Sequence, residues 1–245
     1  MIFQMMNVTE LYFAFQDFAI SILLTFGEVV WSIFICEVFL YIMRVMSFWP
    51  YPFLFPMTPE KRILLIITHI EDICIYFAPT IMKFLEIGNC EVFVMCLVDD
   101  TKNRFTFEEK RNMKYDFITS STLLGIKESN IIFIVHQYTS QYQGIFFCGA
   151  YILNCIESYQ VNYVFTFDPN GVSYHPDHTF LFHTISYLCL RKSIPEYCHV
   201  YKLKSVGFLR KYTCFFIDLL MSEWDSKYIF LISQNNFVKT KIALN

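Results

Sequence analysis

Two short segments hold three of the chain's six histidines, each beside closely spaced carboxylates. The first is Thr68-His69-Ile70-Glu71-Asp72, and the second runs from Phe167 to His178 and carries His175, Asp177 and His178. Zinc in a hydrolytic site takes three protein ligands from His, Asp or Glu and keeps a fourth position for water. His69 and Asp72, three apart, can reach one ion from a single turn, and His178 can complete the set. Glu71 is placed to act as general base on a metal-activated water. His175, one turn before His178, is placed to give a proton to a leaving amine or to support an oxyanion. A plainer reading stands beside this one. A loop histidine is usually a hydrated surface group, and Asp72 and Asp177 are of the type that caps helix N-termini. For Asp72 both readings can hold at once.

Such a site needs a scaffold that brings both segments to one place. After the proline-rich stretch Trp49 to Pro59, apolar runs and helix-length segments alternate. Lys61–Thr68, Glu91–Leu97, Asn130–Val135 and Asn162–Phe167 read as strands. Ile73–Ile87, about Phe107–Leu124 with Gly125 closing it, and about Ile145–Tyr159 read as helices. This alternation predicts an α/β fold, a mostly parallel sheet with helices on both faces. Ligands of open parallel sheets sit beyond the C-terminal strand ends. Both segments follow a strand directly, which is where that rule places a site.

Residues 1–56 differ from the rest and are expected to form an apolar membrane-associated segment with a proline-rich boundary, ahead of a catalytic domain over 57–245. From Leu11 to Phe55 the only charges are Asp17, Glu28, Glu37 and Arg44. The best membrane window is Val29 to Ser47, and the alternative is an apolar helical hairpin packed on the domain. Acidic residues precede that window, and Arg44, Lys61 and Arg62 follow it, so the C-terminal part is expected to face the cytosol. The whole chain is 55% apolar and 17% charged, against about 25% charged in ordinary soluble domains. A net charge of −3 gives no reason to expect nucleic acid as a partner. Nine cysteines without a CxxC pair read as buried free thiols of a reducing compartment, and not as a disulfide framework or a thiolate zinc site.

Three blocks of the sequence resemble one family. THIEDICIYFAPTI (Thr68 to Ile81) resembles the AHPDDExxFFAPTI signature of the LmbE-like zinc deacetylases, and within them the N-acetylglucosaminyl-phosphatidylinositol de-N-acetylases of GPI-anchor synthesis. VFTFDPNGVSYHPDH (Val164 to His178) is similar to that family's VVTFDxxGVSGHxNH, and SVGFLRKY from Ser205 is similar to its SVxxLRKY. The resemblance implies a Rossmann-like fold, with zinc (or another divalent metal) on His69, Asp72 and His178, Glu71 as base and His175 as catalytic histidine. It implies hydrolysis of the N-acetyl group of a glycosylated phosphatidylinositol at the endoplasmic reticulum membrane, with the catalytic domain in the cytosol.

The chain also departs from that pattern. Glu71 stands for the family's Asp, Ile70 for Pro, Ile73 for Glu, Tyr174 for Gly and Asp177 for Asn. Met113 falls where the family has a helix Arg, with Arg111 nearby, and His136 falls where it has an acidic residue after the third strand. A non-catalytic interaction protein of the same fold, or a metallohydrolase of a soluble N-acetyl sugar, are the alternatives. Arg210 and Lys211 are candidates for the phosphoinositol headgroup or the membrane surface, against the plainer reading of a solvated amphipathic segment. His136 is a candidate for the substrate groove, whereas His183 and His199 read as structural.

Overall fold

The computed structural model describes residues 8–48, 60–88, 90–138, 140–205, 241 and 243. The proline-rich stretch 49–59, and Arg210 and Lys211 with the segment around them, lie outside the described residues. What is described falls into two units, an N-terminal helix and an α/β body, and each is taken by itself.

Helix α1 (Val8–Phe48) is 41 residues long and unbroken, so the hairpin alternative does not hold. It is apolar all round, and Phe15, Leu23, Phe26 and Trp31 are each more than 60% exposed. A helix with no polar face belongs in a large core or in lipid. Its 25 residues from Phe15 to Phe39 are long and apolar enough to cross a membrane. At about 1.5 Å per residue they reach roughly 38 Å, more than the ~30 Å hydrocarbon layer. This span begins earlier than the expected Val29 and contains Asp17, Glu28 and Glu37.

The body is built on consecutive aliphatic residues. In β1 (Lys61–Ile67) the five residues from Ile63 to Ile67 are completely buried, so both faces of the strand are covered. The chain then turns through a π-helical turn, Ile73–Phe77, into α2 (Ala78–Ile87). One regular helix was expected here. Pro79 lacks an N–H to donate back to the preceding turn, and the helix is wound wide before it. Then follow β2 (Cys90–Asp99), α3 (Phe107–Leu123), β3 (Ile131–His136), α4 (Gln141–Ser158), β4 (Tyr163–Phe167), the short α5 (Gly171–Tyr174), α6 (Pro176–Leu190) and β5 (His199–Leu203). Thr106 and Glu109 form a reciprocal capping box at the start of α3, and Gly125 takes a φ of +100° just after that helix.

All five strands are parallel, in the order β3-β2-β1-β4-β5. The chain steps outward from β1 to β3, and α4 carries it back past β1 to β4. Right-handed crossovers put α2 and α3 on one face and α4 and α6 on the other. The second pair packs closely, since a Cβ at Gly149 of α4 would stand 3.2 Å from Leu188 of α6. The strand order reverses between β1 and β4. The loops that leave these two strands therefore open a crevice at their C-terminal ends.

Of the eight cysteines among the described residues, all are free, and Cys74, Cys96, Cys148, Cys155 and Cys198 are buried. Cys36 and Cys189 are exposed, contrary to expectation.

Candidate metal centre

The loop after β1 folds back on itself around Asp72. The carboxylate of Asp72 accepts the N–H of His69 at 2.9 Å and that of Thr68 at 3.4 Å, and its side chain is almost fully buried. The loop after β4 is organised by Asp168, a residue that spacing alone did not single out. Buried Asp168 accepts the N–H groups of Asn170 at 3.1 Å and Ser205 at 2.8 Å, together with the Ser205 hydroxyl. The Asp-Pro-Asn-Gly run from Asp168 to Gly171 is the turn signature behind this arrangement. Val172 and Tyr174 take φ values of +61° and +59° in the same loop. Non-glycine residues hold such angles only where their surroundings impose them. His175 caps α6, its Nδ1 accepting the Asp177 N–H at 3.4 Å, and so His178 falls in the first turn of that helix.

These two loops bring three atoms together. His178 Nε2 lies 3.0 Å from Asp72 Oδ2, His69 Nδ1 lies 3.4 Å from the same oxygen, and the two imidazole nitrogens are 3.3 Å apart. Ligands bound at about 2.0–2.1 Å around a tetrahedral zinc stand roughly 3.3 Å from one another. The outer nitrogens settle which lone pairs face inward. His178 Nδ1 lies 3.1 Å from the Gly171 carbonyl, and His69 Nε2 lies 3.2 Å from Asp177 Oδ2. Both partners can only accept, so each outer nitrogen carries the hydrogen and each inner one presents a lone pair. Two lone pairs and a carboxylate directed at one point are a donor set for a cation, and the residues present fit a divalent metal. His175 has a ligand atom within 4.8 Å of those of His69 and His178. Asp72 is the better third ligand because its oxygen is closer to both and its side chain is buried.

The surrounding carboxylates favour positive charge at this point, and a metal ion takes the place of the proton that would otherwise sit on the inner nitrogen of His69. Burial disfavours a charged His69, but hydrogen bonds to Asp177 and Asp72 outweigh it and lift its pKa to about 10. Burial opposes ionisation of Asp72 as well, yet His178 and His69 hold it well below the ordinary carboxylate range. His175 is pushed down by burial and by the neighbouring His69, which makes its imidazolium a stronger acid. Phe167 stacks on the His178 ring at 3.8 Å between centroids and fixes its plane.

A pocket of about 350 Å³ opens over the cluster, lined among others by His69, Glu71, Asp99, Arg104, Met113 and Asp177. Glu71 is exposed into solvent there, one residue before the buried Asp72. His136 is buried, its ring stacked on Tyr138 at 5.2 Å, and it is not on the wall of this pocket. Arg104 and the bond from Asp177 to His69 are features that residue spacing did not reveal, because both depend on how loops close. A larger hollow of about 750 Å³ lies at the opposite, N-terminal strand ends. Its charged lining includes Arg62 and Glu91, which pair with each other at 3.5 Å.

The chain is 28% identical over 192 residues to the N-acetylglucosaminyl-phosphatidylinositol de-N-acetylase of Bos taurus, covering 76% of this chain and 73% of that protein. It is also 28% identical over 138 residues to a probable enzyme of the same name from Dictyostelium discoideum, covering 55% of this chain and about half, 52%, of that one. Among solved structures, N,N'-diacetylchitobiose deacetylase from Pyrococcus horikoshii superposes with a TM-score of 0.52 at 19% identity, over 79% of this chain and 72% of that one. That likeness is one of fold. No family model matches the chain.

Proposed function

We propose that this chain, a homologue of the N-acetylglucosaminyl-phosphatidylinositol de-N-acetylases with the parallel sheet of the LmbE-like deacetylases, is itself a zinc-dependent deacetylase of a glycosylated phosphatidylinositol. The observation that carries this reading is the convergence of His69 Nδ1, Asp72 Oδ2 and His178 Nε2 within 3.0–3.4 Å of one another at the strand-order reversal. Those three residues would hold the metal. When bound, it supplies Lewis acidity toward the acetamide carbonyl and makes a water acidic enough to attack near neutral pH.

The chain's own residues move the protons. Glu71 takes a proton from the attacking water at a carboxylate oxygen, which its exposed position in the pocket allows. His175 acts as an imidazolium, giving one ring proton to the leaving nitrogen as the C–N bond breaks, and the neutral ring that remains is the form whose Nδ1 accepts the Asp177 N–H. Water contributes the new oxygen of acetate, and the products are acetate and the free amine. Asp177 keeps His69 oriented throughout. The Phe15–Phe39 span of α1 favours a lipid-borne substrate over a soluble sugar, and we place the protein at the endoplasmic reticulum membrane with its α/β body in the cytosol.

The decisive experiment is a deacetylation assay of the detergent-solubilised full chain on N-acetylglucosaminyl-phosphatidylinositol, with metal quantified in the same sample. Release of acetate that is abolished by chelation and restored by zinc is expected. A metal-loaded chain that releases none would leave a non-catalytic homologue.

A further inference from the structure

We infer that Arg104 is a specificity-determining residue: its guanidinium, on the rim of the pocket above the metal ligands, takes the phosphodiester of a sugar–inositol phosphate. This rests on reading that pocket as the substrate site. Arg104 supplies the pocket's only permanent cation among the described lining residues, and α3 offers apolar Met113 to the same wall. The other charged groups there are the carboxylates of Glu71, Asp99 and Asp177. An anionic substrate meets repulsion from all three and attraction from this single side chain, beyond whatever the metal provides.

The loop that presents Arg104 is built and anchored. Asp100 is completely buried at its base, where it pairs with Lys110 and accepts from the Phe105 N–H at 3.1 Å and from Gln137 at 3.1 Å. The Asn103 N–H returns to the Asp100 carbonyl at 2.8 Å. Arg104 itself donates from one Nη2 to the Asp99 carbonyl at 2.8 Å, which aims the side chain while leaving Nε and Nη1 without a hydrogen bond to any described residue. Its Nη2 comes only within 3.8 Å of the Asp99 carboxylate, at the outer limit of an ion pair and with the arginine itself about half exposed, an arrangement that contributes little to stability. A fork with two free donor positions and a fixed base matches two phosphate oxygens, a geometry that lysine does not reproduce.

The test is equilibrium binding to the metal-loaded full chain in detergent, using two soluble ligands, N-acetylglucosaminyl-inositol phosphate and the same compound without phosphate. The wild type is expected to bind the phosphorylated ligand about tenfold or more tightly than the neutral one, the scale of a charge-assisted hydrogen bond. Arg104→Ala should abolish that preference while leaving neutral-ligand affinity and metal content unchanged, and Arg104→Lys should keep only part of it. Inorganic phosphate should compete poorly. Equal competition by free phosphate, a preference that survives in Arg104→Ala, or equal loss for both ligands would each overturn the assignment. Because binding is read without turnover, a chain that prefers the phosphorylated ligand but releases no acetate would sink the deacetylase reading and leave this one standing.

Discussion

An imidazole that binds a metal through one nitrogen is held in place through the other. In this protein the outer nitrogens of His69 and His178 are tied to a carboxylate and a backbone carbonyl from one segment, the stretch that leaves β4 and opens α6. Wild-type protein should therefore carry about one zinc per chain, and His69→Ala or His178→Ala should lose it, since two remaining ligands hold zinc poorly. Elemental analysis of the purified variants decides this, and full metal content in both would move the site elsewhere. Glu71→Gln should retain the metal while turnover falls by about two orders of magnitude or more, because an amide cannot take a proton from water. Glu71→Asp should be tolerated. If Glu71→Gln leaves the rate unchanged, the base is Asp177, which lines the same pocket.

The loops and helix starts explain how these side chains are aimed. Gly171 sits at φ +52° against α6, where an added Cβ would meet His178 Cβ and Thr179 Oγ1, each at 3.0 Å. Gly171→Ala should push the first turn of α6 away and weaken zinc binding by about ten- to a hundredfold, the usual scale for disturbing the groups behind a ligand. A competition titration against a chromogenic chelator would show it, and unchanged affinity would mean the turn yields freely. Asp100 makes a separate prediction about the neighbouring loop. Lys110, working against the cost of burial and helped by the Phe105 N–H and Gln137, holds its pKa down to about 2. A carboxyl depressed below its unfolded value of about 3.9 stabilises fully above pH ~4. That stabilisation is lost as pH falls through about 2. Thermal midpoints should show wild type several degrees above Asp100→Asn at pH 5 and converging with it toward pH 2. Parallel curves would remove the pair from the loop's account. How much of this was legible varied with the physics. Aliphatic runs such as Ile63–Ile67 can only be strands covered on both faces, and that made the sheet readable. The strand β5 was missed because an edge strand as short and polar as HVYKL shows no such run. The π turn was missed because its cause, Pro79, looks from sequence like an ordinary helix start. The position of Arg104 depends on the buried anchor Asp100, which nothing in the spacing of charges distinguishes from a solvated aspartate.

At the scale of the whole molecule, helix α1 is long and apolar enough to cross a membrane, whereas the body buries its aliphatic strands. A chain beginning near Pro56 should stay in the supernatant without detergent and still bind zinc, while the full chain should need detergent, because every metal ligand lies after residue 60 and the membrane-length span lies before it. Fractionation of both chains tests this, and a full chain that is soluble alone would return weight to a soluble N-acetyl sugar. A tag after Asn245 should be open to protease in sealed microsomes, and protection would contradict the charge asymmetry around the span. The body also has a temporal property. His69 and His178 are 109 residues apart and become neighbours only when β4 pairs with β1. During synthesis the ribosome releases β1, β2 and β3 with one histidine and one aspartate of the cluster already made, and this pair is too weak a chelate to retain zinc. On the ligand set proposed above, metal capture waits until the first turn of α6 has emerged, so an ion held in this site would report that the sheet has formed through the strand-order reversal.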